Sequence, residues 1–160
     1  MEKNSLKELL KDMGYPFEIQ EYKLMAPSEK EKSYITKIWS SIRSETDKTL
    51  SDSQVCDLWV RRFEKLTHTK WIVEKTFPNT VYIQYKKKFK CQHSSLFKSR
   101  NPAFKDSPRS RDKDCKAKLD ITLYLDTETT KENSEFINKS LTACITVITK
   151  TYMYAFILVI

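Results

Sequence analysis

Leu119-Asp120-Ile121-Thr122-Leu123-Tyr124-Leu125 places an apolar side chain at every second position. Successive side chains of a strand point to opposite faces, so this alternation predicts a strand with one buried face. Working outward from it, Trp71-Ile72-Val73 and Val81-Tyr82-Ile83-Gln84-Tyr85 are separated by Pro78-Asn79 and read as two strands joined by a turn. Phe89-Lys90-Cys91 extends the second, and Ala143-Cys144-Ile145-Thr146-Val147-Ile148 is a further β-rich run. Ahead of these four strands, Val55, Leu58, Trp59 and Phe63 form the apolar stripe of a helix that Asp52 or Ser53 can cap. Trp59, Phe63 and Trp71 read as core rather than as base-stacking groups.

The first fifty residues read as a helical arm and linker. Leu6, Leu9, Leu10 and Met13 have helical spacing before Gly14 and Pro16, which predicts a short, loosely attached helical arm. Ser28 to Glu31 has capping-box spacing after Pro27, and Ile35, Ile38, Trp39 and Ile42 then share a helical face, giving a second helix over about 28–44. The polar stretch 44–53 carries the expected domain boundary. The fold class expected is α+β: N-terminal helices followed by a helix-flanked four-stranded antiparallel sheet. The segments expected are a helical arm and linker (1–50), a binding domain (51–150) and an apolar tail (151–160).

Composition excludes several functions. The single glycine, Gly14, leaves no residues for a phosphate-binding loop, a dinucleotide fingerprint or a nucleophile elbow. His68 and His93 are the only histidines, and neither lies in an orienting motif, so no enzyme is expected. His68 reads as a surface residue. The net charge is +8, and the stretch from Lys86 to Lys118 alone carries +9, with twelve basic residues against three acidic ones. Such a concentration points to nucleic acid. Lys86, Lys87, Lys88 and Lys90 interleave with Tyr85 and Phe89, so one side of that strand can be buried while the other meets phosphates. Lys98, Arg100, Arg109, Arg111 and Lys113 add charge from the long loop after it.

No signal peptide precedes the four cysteines, so a reducing, intracellular setting is expected, with buried thiols or metal ligands rather than structural disulfides. Cys56 and Cys144 fall on apolar runs and read as small buried hydrophobes. Cys91 ends the second strand and Cys115 precedes the third, so antiparallel pairing brings both thiols to one end of the sheet, which is half of a zinc site. His93, two residues beyond Cys91, is either a further ligand or a solvated loop histidine. Residues 141–160 approach the length of a membrane span, but Lys150 near the centre costs about 2.5–3.5 kcal/mol on insertion, and a membrane partner is not expected.

From Trp59 to about Thr149 the chain resembles the N-terminal WRKY/GCM-like zinc finger of Mutator-like transposases, which is related to FLYWCH fingers. The likeness rests on Trp59 with Phe63, Thr67-His68-Thr69-Lys70-Trp71, the run from Tyr85 to Ser95, and Ser110-Arg111-Asp112-Lys113-Asp114-Cys115-Lys116-Ala117-Lys118-Leu119. The resemblance implies a DNA-binding module of transposase origin, located in the nucleus, with Cys91 and Cys115 as the first two zinc ligands. It also implies a closing His-x-His pair, and here the chain departs: after Ile145-Thr146-Val147 it runs Thr149-Lys150-Thr151-Tyr152-Met153-Tyr154. A weak or incomplete zinc site is therefore expected. The chain reads as a truncated or read-through product without the transposase's catalytic domain. DNA is the expected partner, with no small-molecule substrate. The alternative is a relic that binds only protein.

Overall fold

The computed structural model describes residues 3–25, 33–42, 49–94, 115–125, 127–128 and 143–150. Helix α1 (Lys3–Asp12) ends where Gly14 takes φ +74 and its N–H reaches back to the Lys11 carbonyl at 3.0 Å. Only glycine adopts that left-handed conformation without strain. Leu6, Leu9, Leu10 and Met13 are all buried in the main core, so the helix is packed rather than a loose arm.

Helix α2 (Asp52–Thr67) opens with a capping box in which Ser51, one residue before the expected caps, exchanges hydrogen bonds with Gln54. Its far end closes on His68, an exposed non-glycine residue at φ 49. Trp59 stacks on Phe63 at 5.2 Å between ring centroids, and Phe63 on Trp71 at 6.3 Å. These three rings are core, and Glu64 fixes the start of the next strand by accepting the Trp71 backbone N–H at 2.7 Å.

The strands are β1 (Phe17–Leu24), β2 (Ser33–Ser40), β3 (Trp71–Phe77), β4 (Ile83–Cys91), β5 (Lys118–Tyr124) and β6 (Ala143–Lys150). They form one antiparallel sheet in the order β1-β2-β6-β5-β4-β3. The expectation of N-terminal helices followed by a helix-flanked four-stranded sheet is thus corrected. The four expected strands are present, but two more come from the first fifty residues.

The helix expected over 28–44 is strand β2 across Ser33–Ser40. Ile35, Ile38, Trp39 and Ile42 do satisfy a helical period, but they satisfy it because β2 is an interior strand with apolar groups on both faces. Ile38 faces the main core, while Trp39 stacks on Tyr124 of β5 at 5.6 Å on the other side. β-branched and aromatic residues suit a two-sided pleat, and eight residue pairs with β6 override the weak helical pattern. Strand β1, which had no assignment from sequence, flanks β2.

Both helices contribute to the same apolar cluster as Ile38, Phe89, Leu119, Ile121, Ile145 and Val147, so they cover one face of the sheet. Arg62 of α2 ties them together, donating to the Met13 carbonyl at 3.5 Å and lying over the Tyr15 ring at 5.0 Å. Both edge strands carry a register break, between Ile19 and Glu21 in β1 and between Val73 and Lys75 in β3. Such breaks twist an exposed edge away from further pairing.

Candidate nucleic-acid interface

Residues directly opposite on antiparallel strands share a face, so the register sorts the basic residues. Ile72, Lys90, Lys118, Ile148 and Ile35 make one row across the sheet, and Lys75, Lys88, Asp120, Thr146 and Lys37 make the next. Phe77, Lys86, Thr122, Cys144 and Trp39 make a third. These rows lie on the face away from the helices. Lysines dominate its β3–β4–β5 half, with Asp120 the one acidic group in those rows. At the β1 edge, Glu18 and Glu21 pair across to Trp39 and Lys37, so the face is electrically polarised.

The charge is densest around Phe77, whose ring has the ammonium groups of Lys75, Lys86 and Lys88 at 4.8, 5.3 and 5.7 Å from its centroid. Cation–ring attraction of this kind is worth about 0.5–1 kcal/mol per contact at exposed sites, enough to gather the chains but not to neutralise them. Lys88 also meets Asp120 at 3.4 Å. Among the described residues, Lys75 and Lys86 have no carboxylate within ion-pair distance.

Lys87 is on the opposite face. Its ammonium pairs with Asp57 of α2 at 2.9 Å and lies over the Tyr85 and Phe89 rings at 5.6 and 5.7 Å. Burial opposes its charge, but the neighbouring Tyr85 hydroxyl and Asp57 carboxylate outweigh burial and hold it protonated above the usual lysine range. Burial likewise raises the Tyr85 phenol, against the pull of Lys87 and Ser53 beside it. Lys87 therefore braces the sheet against α2, and Lys86, Lys88 and Lys90 are the members of the run on the open face. Lys98, Arg100, Arg109, Arg111 and Lys113 lie outside the described residues. Sequence reading missed Lys37, Lys75 and Lys118 as members of this face. They come from three other strands, and only the register assembles them.

The thiols meet as the strand pairing requires. The Cys91 N–H donates to the Ala117 carbonyl at 3.2 Å and the Cys115 N–H to the His93 carbonyl at 3.0 Å. A hydrogen bond with the Cys115 thiol, reinforced by burial, raises Cys91 far above the ordinary thiol range, against the His93 N–H that donates to its Sγ at 3.5 Å. The His93 ring is turned to the Gln92 amide at 3.2 Å. Among the described residues no third His, Cys, Asp or Glu joins the two thiols in a group that could hold a metal ion. Cys56 and Cys144 are buried as small hydrophobes.

Among the described residues no helix is long and apolar enough to cross a membrane. No protein-family model, curated protein or solved structure matches the chain.

Proposed function

We propose that the protein binds DNA through the open face of the sheet, with Lys75, Lys86, Lys88 and Lys90 as phosphate contacts. The observation that carries this reading is the convergence of three ammonium groups on the Phe77 ring, two of them without a carboxylate partner among the described residues. A polyanion relieves the mutual repulsion of such a cluster, and displacement of its counterions supplies the driving force. Phosphate contacts of this kind position the protein without reading sequence. The nuclear location and transposase ancestry implied by the sequence resemblance belong to the same proposal, as does the lack of catalysis.

The test is binding to a short DNA duplex across a salt series. Each phosphate contact contributes about −0.9 to the log–log slope, so several open-face lysines give a steep fall in affinity with salt. No binding at low salt, or binding indifferent to salt, overturns the reading. A second reading, docking of a protein partner, draws on Val73, Val81 and Tyr82, which are large apolar groups exposed along β3 and the β3–β4 turn. A partner held there would bind with little salt dependence.

A further inference from the structure

We propose that Cys91 and Cys115 close into a reversible disulfide, making the junction of β4 and β5 an oxidative modification site. Three observations support it. The hydrogen bonds from Cys91 to Ala117 and from Cys115 to His93 set the two cysteines diagonally across the end of the β4–β5 ladder, Cys91 as the last residue of β4 and Cys115 three residues ahead of β5. Diagonal neighbours of this kind lie about 7–8 Å apart, with their Cβ atoms somewhat closer, and a disulfide asks for Cα atoms within about 6.8 Å, so closure draws the two chain segments together at the open end of the β4–β5 ladder. The thiols are already in hydrogen-bond contact, and both are in the reduced, thiol form. Finally, the two differ in access: Cys91 is 2% exposed, whereas Cys115 is only partly buried.

That asymmetry assigns the steps. A low-molecular-weight disulfide such as oxidised glutathione meets Cys115, whose sulfur gives up its proton and attacks one sulfur of the oxidant. The oxidant's S–S bond breaks, and one glutathione leaves as a thiolate that takes up the released proton. Cys91 then loses its proton and attacks the Cys115 sulfur of the mixed disulfide, expelling the second glutathione. The protein gives up two electrons and two protons, and the oxidant becomes two thiols. In a reducing compartment such a bond is transient and reports on the redox state rather than holding the fold together. Its closure joins 91 to 115 and makes a covalent ring of the basic segment between them, residues 92–114.

The experiment treats the full chain, purified reduced and then freed of reductant, with increasing oxidised glutathione, and reads intact mass and non-reducing peptide maps. The result expected is a loss of about 2 Da, a linked Cys91–Cys115 peptide, and full reversal by dithiothreitol. The melting temperature of the oxidised form should rise by a few degrees. Cys115→Ser, at the more accessible position, should abolish the link, and Cys91→Ser should stop the reaction at one glutathione on Cys115. A glutathione adduct persisting on Cys115 in the parent protein, a link through Cys56 or Cys144, or no reaction overturns the proposal. One tightly held equivalent of zinc that shields both thiols overturns it as well.

Discussion

Lys87 and its neighbours Lys86 and Lys88 differ by one step along β4, and that step separates two kinds of protein surface. On the helix-covered face, Lys87 is enclosed by Asp57, Tyr85 and Phe89 and acts as a strut. On the other face, Lys86 and Lys88 crowd with Lys75 around one ring. The first face spends its charge internally, and the second presents it outward. A lysine run cannot be read as a single patch once its strand is known, because alternate members serve stability and binding separately.

The sharpest way to break this division is to attack the covered face. Phe63→Ala removes a ring stacked between Trp59 and Trp71 and should destabilise the protein by about 3–5 kcal/mol in urea unfolding. A loss below about 1 kcal/mol would mean that the helix layer is not packed as described. Next in size, Lys86→Ala with Lys88→Ala and Lys90→Ala should flatten the salt slope of DNA binding by about three units while lowering urea stability by no more than about 1–2 kcal/mol, the sum of the lost ring contacts. Lys87→Met alone should lower stability by about 1–2 kcal/mol with the salt slope unchanged. If Lys87→Met changes the slope as much as Lys86→Ala does, the two-face division fails.

Alkaline titration sharpens the same contrast. Both Lys87 and Tyr85 have folded-state pKa values raised above their ordinary 10.5 and 10.0. A raised value means the folded state holds the proton more tightly, so this stability is complete below about pH 10 and is lost as pH rises through the folded values. Melting temperature should be level from pH 7 to 9 and then fall, and Lys87→Met should soften the fall. The smallest effect expected is that of Ser51→Ala, which removes the capping box and costs about 1 kcal/mol or less at an exposed site, with no change in binding.

Much of the covered face was legible in sequence. Leu6, Leu9 and Leu10, then Val55, Trp59 and Phe63, have the period of helices with one buried side, and Leu119, Ile121 and Leu123 have that of a strand. What escaped has a physical cause in each case. β2 is apolar on both faces, so its pattern lacks the alternation that marks a strand. In β1, Phe17 and Ile19 keep one phase and Tyr22 the other, because the irregularity between Ile19 and Glu21 shifts the pleat. Lys86, Lys88 and Lys90 could be picked from their charge, but their gathering with Lys75 and Lys118 depends on which strands pair. Pairing between segments far apart in sequence leaves no local signature.

The position of β6 has a consequence for how the protein is made. Among the described residues β6 is the last strand in sequence, yet it lies in the interior of the sheet, with β2 on one side and β5 on the other. Until residues 143–150 have left the ribosome, the β1–β2 pair and the β3–β4–β5 group each expose an unpaired inner edge. Those edges carry Ile38 on one side and Ile121 on the other, both fully buried in the finished protein. Assembly must wait for this strand to join the two halves, so its pairings with β2 and β5, and the packing of one half on the other, arrive together and late. A nascent chain halted before residue 143 would present two adhesive strand edges, and aggregation would be its expected fate.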